Sequence, residues 1–157
     1  MPYLPVWLTR VQSNSMAPSL RDGQLVWTIP PRRKNLPVRG TVVAVDSREL
    51  GRRIIKRIVG LPGEHLRIDG RAVFVDGHLL AEPYATISSA YRGTFHVPDG
   101  HYLLLGDNRD ASSDSRSWRQ PYVARTEIVG RLLTTNNALV ATRLMRGSRA
   151  HLLRRRR

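Results

Sequence analysis

The sequence predicts a mainly β fold for a chain of 157 residues. Apolar runs are short, and Gly, Pro and Asp-Gly turn signals separate them. Within several runs apolar and polar residues alternate, which is typical of strands with one buried face. The length favours a single domain, and a hydrophobic content of 41% is sufficient for a packed core. The chain is therefore expected to be globular and built from short strands.

The predicted strands begin after the turn signal formed by Asp22 and Gly23. The stretch HLRIDGRAVFVDGHLL holds two Asp-Gly pairs and predicts a hairpin or meander. Residues 82–97 are predicted to form a loose excursion, and residues 106–116 a polar turn. The other predicted strands cover residues 24–29, 41–45, 52–59, 101–105 and 126–133.

The two ends of the chain differ from this core. Residues 1–12 form a short apolar segment. It is interpreted as the remnant of a membrane anchor, as an interfacial segment with Tyr3 and Trp7 at headgroup level, or as a disordered terminus. Residues 138–157 form a basic tail that ends in four arginines. The tail is either solvated or a membrane-binding amphipathic helix. Residues 13–137 are predicted to form the folded domain.

The charge of the chain points to an anionic partner. The net charge is +14, which favours nucleic acid or an anionic membrane surface as a partner. The absence of cysteine excludes thiol catalysis, disulfides and cysteine-based zinc sites. Of the 26 basic residues, only Lys34 and Lys56 are lysines. A lysine in a chain that otherwise uses arginine raises the question of its chemistry.

Lys56 lies in the predicted strand RRIIKRIV, where a period of two places it on one face with Ile54 and Ile58. Desolvation on an apolar face lowers the pKa of lysine, and a neutral amine can take a proton from a hydroxyl. Arginine cannot take this role because its pKa stays above about 12. Alternatively, the stem of Lys56 packs while its head reaches water. The strand pattern by itself leaves both interpretations open.

Two other segments hold polar side chains that could act with this lysine. QSNSMAP, near the start of the chain, is either a polar turn or the site of a serine nucleophile. GDNRDASSDSR, at residues 106–116, has three interpretations: a solvated loop, a calcium-like loop, or an ion-paired scaffold that holds a serine toward Lys56. The EF-hand spacing is not met, which argues against a metal. The acidic and basic candidates for the scaffold are Asp107, Asp114, Arg109 and Arg116.

Three segments, in this order, resemble the sequence boxes of type I signal peptidases. SNSMAPSL resembles the serine box, RRIIKRIVGLPGE the lysine box, and HVPDGHYLLLGDNRDASSDSRSW the last box. VRGTVVAV stands where the family has its R-G-D-[VI]-V box, with Thr41 in place of the aspartate. Ser19 replaces the usual threonine of the serine box. The resemblance extends from about residue 13 to residue 129, which is most of the chain.

This resemblance implies a membrane-bound serine endopeptidase with a serine–lysine dyad and no metal or organic cofactor. The fold it implies is mainly β, with antiparallel sheets that form a partly open barrel-like core and a small β excursion. Residues 13–137 would be the catalytic domain. By position, Ser15 matches the nucleophile, Lys56 the general base, Ser13 and the Ser15 amide the oxyanion hole, Ser112 the residue that orients the lysine, and Asp107, Asp114 and Arg116 the residues that brace the loop.

The implied substrates are the signal peptides of preproteins, cut after small residues in an A-x-A-like site. The implied location is the cell membrane, with the catalytic domain on the extracytoplasmic face and an anionic membrane surface as a partner. No nucleic acid is expected as a partner. Only fourteen residues precede Ser15, so we expect either an upstream start or peripheral docking through the basic charge.

Three alternatives compete with this interpretation. A basic β-barrel that binds nucleic acid would fit the charge, but aromatic residues are only 6% and do not interleave with the basic ones. A self-cleaving repressor shares the serine–lysine chemistry, but it normally has a DNA-binding domain, for which the chain has no room ahead of Ser15. A catalytically silent relative would keep the fold, and the intact set of Ser15, Lys56 and Ser112 argues against it.

Overall fold

The computed structural model describes residues 6–31, 36–86 and 90–134, and this part of the chain is almost entirely β. Its elements are β1 (Trp7–Arg10), β2 (Leu25–Ile29), β3 (Val42–Ser47), β4 (Arg52–Gly60), β5 (His65–Asp69), β6 (Ala72–Val75), β7 (His78–Leu79), β8 (Arg92–His96), β9 (His101–Leu105), β10 (Tyr122–Ala124), a 3₁₀ turn (Arg125–Glu127) and β11 (Ile128–Leu132).

The strands form two antiparallel sheets. The main sheet has seven strands in the order β1-β2-β11-β3-β4-β9-β10, and the second sheet has four in the order β7-β6-β5-β8. The prediction of a mainly β, antiparallel fold with a small β excursion is confirmed. The sheets do not close into a barrel, which agrees with the prediction of a partly open core.

The second sheet contains the predicted meander. β6 and β7 are joined by Asp76 and Gly77, which have φ angles of +48° and +83°. Positive φ at both central residues matches the twist of a two-residue hairpin, and Asp-Gly is a preferred pair there. The excursion predicted over residues 82–97 differs in part, because Arg92–His96 is a strand that pairs with β5. Its exposed and half-buried residues alternate, so local hydrophobicity is weak and the pairing partner defines the strand.

Two further strands were not predicted, because each is short and is defined by its pairing with a strand elsewhere in the sequence. β10 has three residues and pairs with β9. β1 is the edge strand next to β2, so the N-terminal segment is part of the main sheet from Trp7 onward. The ring of Trp7 packs against Gly130, where an added Cβ would lie 2.9 Å from it. Trp7 is thus turned toward the protein, contrary to its predicted place at headgroup level, and Tyr3 lies outside the described residues.

The main sheet is buried on both faces near its centre. In β3 the adjacent residues Val42 and Val43 belong to different core clusters, which requires apolar contacts on both sides. Val43 and Val45 pack with β4, β9 and Trp118. A third cluster joins the second sheet to β4 and β9. Because β4 contributes to clusters on both faces of the sheet, its buried side chains are held in place by packing.

No helix in residues 6–31, 36–86 and 90–134 is long and apolar enough to cross a membrane. The basic tail at residues 138–157 and Lys34 lie outside the described residues. The predicted division into residues 1–12, 13–137 and 138–157 therefore stays a prediction.

Candidate active site

Ser15 lies in the loop between β1 and β2. The base of this loop is closed by two backbone hydrogen bonds, from Val11 N–H to the Gln24 carbonyl (2.8 Å) and from Gly23 N–H to the Val11 carbonyl (2.9 Å). Met16 follows Ser15 and is buried in a core cluster with Leu20, which anchors the loop to the sheet. Ser15 itself is buried, so its hydroxyl faces the protein interior.

Lys56 lies on β4 opposite Val43 of β3, so the two side chains share one face of the sheet. Ile54 and Ile58 belong to the same core cluster as Val43, as the period of two predicts. The side chain is buried, and the residue is only 5% exposed. Lys56 Nζ donates to Ser15 Oγ at 2.9 Å and to the Ile55 carbonyl oxygen at 3.1 Å. The structure thus brings together the serine and the lysine that lie 41 positions apart in sequence.

Burial lowers the pKa of Lys56 from its ordinary value to about 8. The carboxylates of Asp114 and Asp107 oppose this shift, and the cation of Arg52 adds to it. The net result is an amine that is neutral in a substantial fraction near neutral or mildly alkaline pH. Such an amine can accept the proton of a hydroxyl that lies within hydrogen-bond distance.

Ser13 places a second hydroxyl beside Ser15. Ser13 Oγ lies 3.3 Å from Ser15 Oγ and 3.4 Å from the Ser15 backbone nitrogen. The Ser15 N–H donates to Ser13 Oγ, and the Ser13 hydroxyl donates to Ser15 Oγ, so the two groups predicted to form an oxyanion hole lie next to each other. Ser13 has a φ angle of +93°, an uncommon conformation for a residue other than glycine.

The polar loop at residues 106–116 is braced by buried ion pairs. Asp107 forms a two-pronged pair with Arg57, at 2.7 and 2.6 Å. Asp114 pairs with Arg116 at 2.8 and 2.9 Å and accepts the Gly106 N–H at 2.9 Å. Both aspartates are fully buried. The carboxylates are thus engaged by arginine, and no cluster of three or more potential metal ligands occurs among the described residues.

This loop directly contacts the loop between β1 and β2, residues 11–24, which we call the serine loop. Asn108 N–H donates to the Ser15 carbonyl at 3.1 Å, and Asn108 Nδ2 donates to the Asn14 carbonyl at 3.2 Å. A Cβ on Gly106 would lie 2.6 Å from the Ser15 carbonyl oxygen and 2.1 Å from Ser112 Oγ. Only glycine allows so close an approach at this position. Bracing of the polar loop is therefore transmitted to the backbone of Ser15.

Ser112 lies against Gly106, close to the serine loop, but it does not bond to Lys56 in this structure. Its hydroxyl is buried and has no hydrogen-bond partner. The partners of Lys56 Nζ are Ser15 and the Ile55 carbonyl. The hydrogen bond between Ser112 and Lys56 that the resemblance implies is thus not formed here. A buried hydroxyl without a partner is costly, so its position calls for an explanation.

The sequence did not predict that residues 82–86 contact the polar loop. Glu82 forms a buried ion pair with Arg109 at 2.6 Å. Thr86 N–H donates to the Asp107 carbonyl at 2.8 Å, and Arg109 N–H donates to the Thr86 hydroxyl at 2.9 Å. The ring of Tyr84 lies 3.9 Å from the Arg57 guanidinium. The only sequence signal for Glu82 is that it is an acidic residue beside Pro83, in a segment whose sequence predicts a loop.

Comparison with known proteins gives a consistent result. The family model described as signal peptidase, peptidase S26, matches residues 5–135. A probable signal peptidase I-2 of Synechocystis sp. is 38% identical in an alignment 130 residues long that covers 77% of this chain. A signal peptidase I of Leptolyngbya laminosa is 37% identical in an alignment 131 residues long that also covers 77% of this chain. The chain spans 58% of the length of the first relative and 64% of the second.

A solved structure is also similar. The crystal structure of a signal peptidase I from Enterococcus faecalis superposes with a TM-score of 0.54 at 30% identity. The match covers 62% of this chain and 97% of the other. The family model spans the serine loop, β4 and the polar loop. The chain belongs to the signal peptidase family, peptidase S26.

Proposed function

We propose that this protein is a serine endopeptidase that removes signal peptides from preproteins by cutting after small residues in an A-x-A-like site. The observation that carries the proposal is the 2.9 Å contact between Lys56 Nζ and Ser15 Oγ in a buried setting. Burial lowers the pKa of the amine to about 8, which makes it an effective base for a serine hydroxyl. Membership of the signal peptidase family supports the choice of substrate.

In the proposed reaction, Ser15 Oγ attacks the scissile carbonyl carbon while neutral Lys56 takes its proton. The carbonyl oxygen becomes an oxyanion that accepts hydrogen bonds from the Ser13 hydroxyl and the Ser15 N–H. The C–N bond then breaks, and Lys56 gives the proton to the leaving amine. Water attacks the resulting ester with Lys56 again as the base, which releases the new carboxylate and restores Ser15. No metal or organic cofactor enters these steps.

The remaining site residues are proposed to position this pair. The partnerless Ser112 hydroxyl is available as a hydrogen-bond partner for Lys56, which would keep the amine aimed at Ser15 once the proton has moved. Asp107 and Asp114 hold the polar loop through Arg57 and Arg116. The loop in turn holds the Ser15 carbonyl through Asn108 N–H.

We also propose that the domain docks on an anionic membrane surface on the extracytoplasmic face. Support comes from the edge of the main sheet, where Leu8 and Trp27 are directly opposite each other and about half exposed. Val6 and Leu25 extend the same face by the period of two and are 41% and 60% exposed. Arg10, also exposed, lies two residues beyond Leu8. An apolar face with a basic residue and a net charge of +14 suits a surface of anionic lipid.

The first experiment is a cleavage assay with purified protein and a preprotein that carries an A-x-A site, in detergent or with anionic vesicles. Mass spectrometry locates the cut. We expect wild-type protein to cut after the second small residue, Ser15→Ala to be inactive with an unchanged fold, and Ser117→Ala, an exposed serine of the neighbouring segment, to be active. Activity retained in Ser15→Ala would overturn the nucleophile assignment. A wild-type protein that cuts no preprotein in either medium would overturn the proposed activity.

A further inference from the structure

Ser13 has a backbone conformation that the rest of the loop must maintain. Its φ of +93° is unfavourable for a residue other than glycine, so such a conformation persists only where neighbouring contacts enforce it. The conformation also directs the Ser13 hydroxyl toward Ser15, with the Oγ 3.4 Å from the Ser15 nitrogen. A relaxed Ser13 would carry its hydroxyl away from that position.

The contact that holds Ser13 comes from the far end of the same loop. Ser13 N–H donates to Asp22 Oδ1 at 2.7 Å, a short bond to a carboxylate oxygen. The bond is reciprocated nearby, because Asp22 N–H donates to the Asn14 side-chain oxygen at 3.3 Å. The paired backbone bonds between Val11 and residues 23–24 close the loop just below, and they bring Asp22 beside Ser13.

The two ends of the three-residue segment 13–15 are thus held from different sides. The polar loop holds the Ser15 carbonyl through Asn108. Asp22 is the only side chain that bonds to the Ser13 amide among the contacts of the described residues. Both Ser13 and Asp22 are exposed, so apolar packing does little to fix this end and the hydrogen bond has the larger part.

We propose that Asp22 is a positioning residue for the oxyanion hole: it fixes the conformation of Ser13 and thereby aims the Ser13 hydroxyl at the developing oxyanion. The inference rests on the proposed function, and within it on the oxyanion role of Ser13. It assigns Asp22 no contact with the substrate. Its effect should therefore fall on the rate of the chemical step and leave substrate binding unchanged.

The test compares kcat and KM of Asp22→Ala, Asp22→Asn and Ser13→Ala. Asp22→Ala is expected to lower kcat roughly three- to tenfold with KM unchanged, the factor that about one net hydrogen bond is worth. Asp22→Asn keeps an acceptor oxygen and should retain most of the rate. Asp76→Ala is the matched control, because Asp76 Oδ1 accepts the His65 N–H at 2.9 Å in an exposed turn of the second sheet. The control should leave kcat unchanged.

The double variant makes the test specific. If Asp22 acts through Ser13, adding Asp22→Ala to Ser13→Ala produces no further loss of kcat. An Asp22→Ala variant with the wild-type kcat, or a full additional loss in the Ser13→Ala background, would overturn the inference while the Ser15–Lys56 assignment stands. If Ser13→Ala keeps the full kcat while Ser15→Ala is inactive, the oxyanion role fails and the inference with it. Activity in Ser15→Ala signals failure of the proposed function itself.

Discussion

At the scale of single residues, Lys56 shows why this chain uses lysine at one position of its central strand. The position is buried between apolar side chains and beside the Ser15 hydroxyl. Arginine would stay charged there and could not accept a proton. Lysine can exist as the neutral amine because burial disfavours its cation. The same burial that makes the cation unfavourable therefore makes the amine usable as a base.

The pH dependence of cleavage tests this directly. In the proposed mechanism the active form is the neutral amine of Lys56, so kcat/KM should rise with pH and level off above an apparent pKa of about 8. Lys56→Arg should be inactive at every pH. The measurement is a pH–rate profile between pH 5 and 10, with circular dichroism to verify that the fold is kept. Activity that begins only near the ordinary pKa of lysine, about 10.4, would contradict a desolvated base.

At the scale of elements, the site is an assembly of three pieces that are far apart in sequence. The serine loop supplies Ser13 and Ser15, and β4 supplies Lys56. The polar loop contacts the serine loop through Asn108 and Gly106, and it contacts β4 through the pair between Asp107 and Arg57. The segment at residues 82–86 holds the polar loop in place through the contacts of Glu82 and Thr86 with Arg109. The excursion thus contributes to the site by support and not by a reacting group.

The ion pair between Glu82 and Arg109 is the strongest candidate for that support. Both side chains are nearly buried, at 6% and 5% exposure, so removal of the carboxylate leaves an unpaired buried cation. Glu82→Ala should lower the free energy of unfolding by about 3–5 kcal/mol, measured by urea denaturation with tryptophan fluorescence. Asp46→Ala is the control, because its pair with Arg53 is half exposed and is worth at most about 1 kcal/mol. Equal losses in the two variants would show that Glu82 is not a structural anchor.

At the scale of the whole molecule, four of the seven large apolar residues that are exposed in the described part of the chain lie at one edge of the main sheet. Leu8, Leu25 and Trp27 share the outer face of β1 and β2. The serine loop connects these same two strands, so the apolar face and the candidate active site lie on one hairpin. In the proposed docking, a membrane surface bound there would contact the same hairpin that carries Ser15.

Vesicle binding tests this orientation. Leu25→Ser combined with Trp27→Ser should weaken binding to vesicles that contain phosphatidylglycerol by about tenfold or more, because two large side chains lose their transfer to the apolar phase. Leu79→Ser serves as the control, since Leu79 is 67% exposed on the second sheet. Sedimentation with vesicles at low and moderate salt gives the affinities. A control that weakens binding as much as the double variant would contradict docking through the β1–β2 edge.

Most of the strands and part of the candidate site could be predicted from the sequence. Turn signals and alternation located most strands, because a half-buried strand records its two faces in a period of two. The same period placed Lys56 on the apolar face with Ile54 and Ile58, as found. The resemblance of the three boxes to the signal peptidase family predicted Ser15 and Lys56 as a pair, and the structure places their side chains 2.9 Å apart.

Only the tertiary structure shows the strands and contacts that depend on residues far apart in the sequence. β1, β8 and β10 are short or weakly apolar, and they are strands because β2, β5 and β9 offer them hydrogen bonds. Glu82 meets Arg109 across 27 positions, and Asp22 meets Ser13 only once the loop between β1 and β2 has closed. Such contacts have no local pattern in the sequence, because chain folding and not sequence spacing sets their distances.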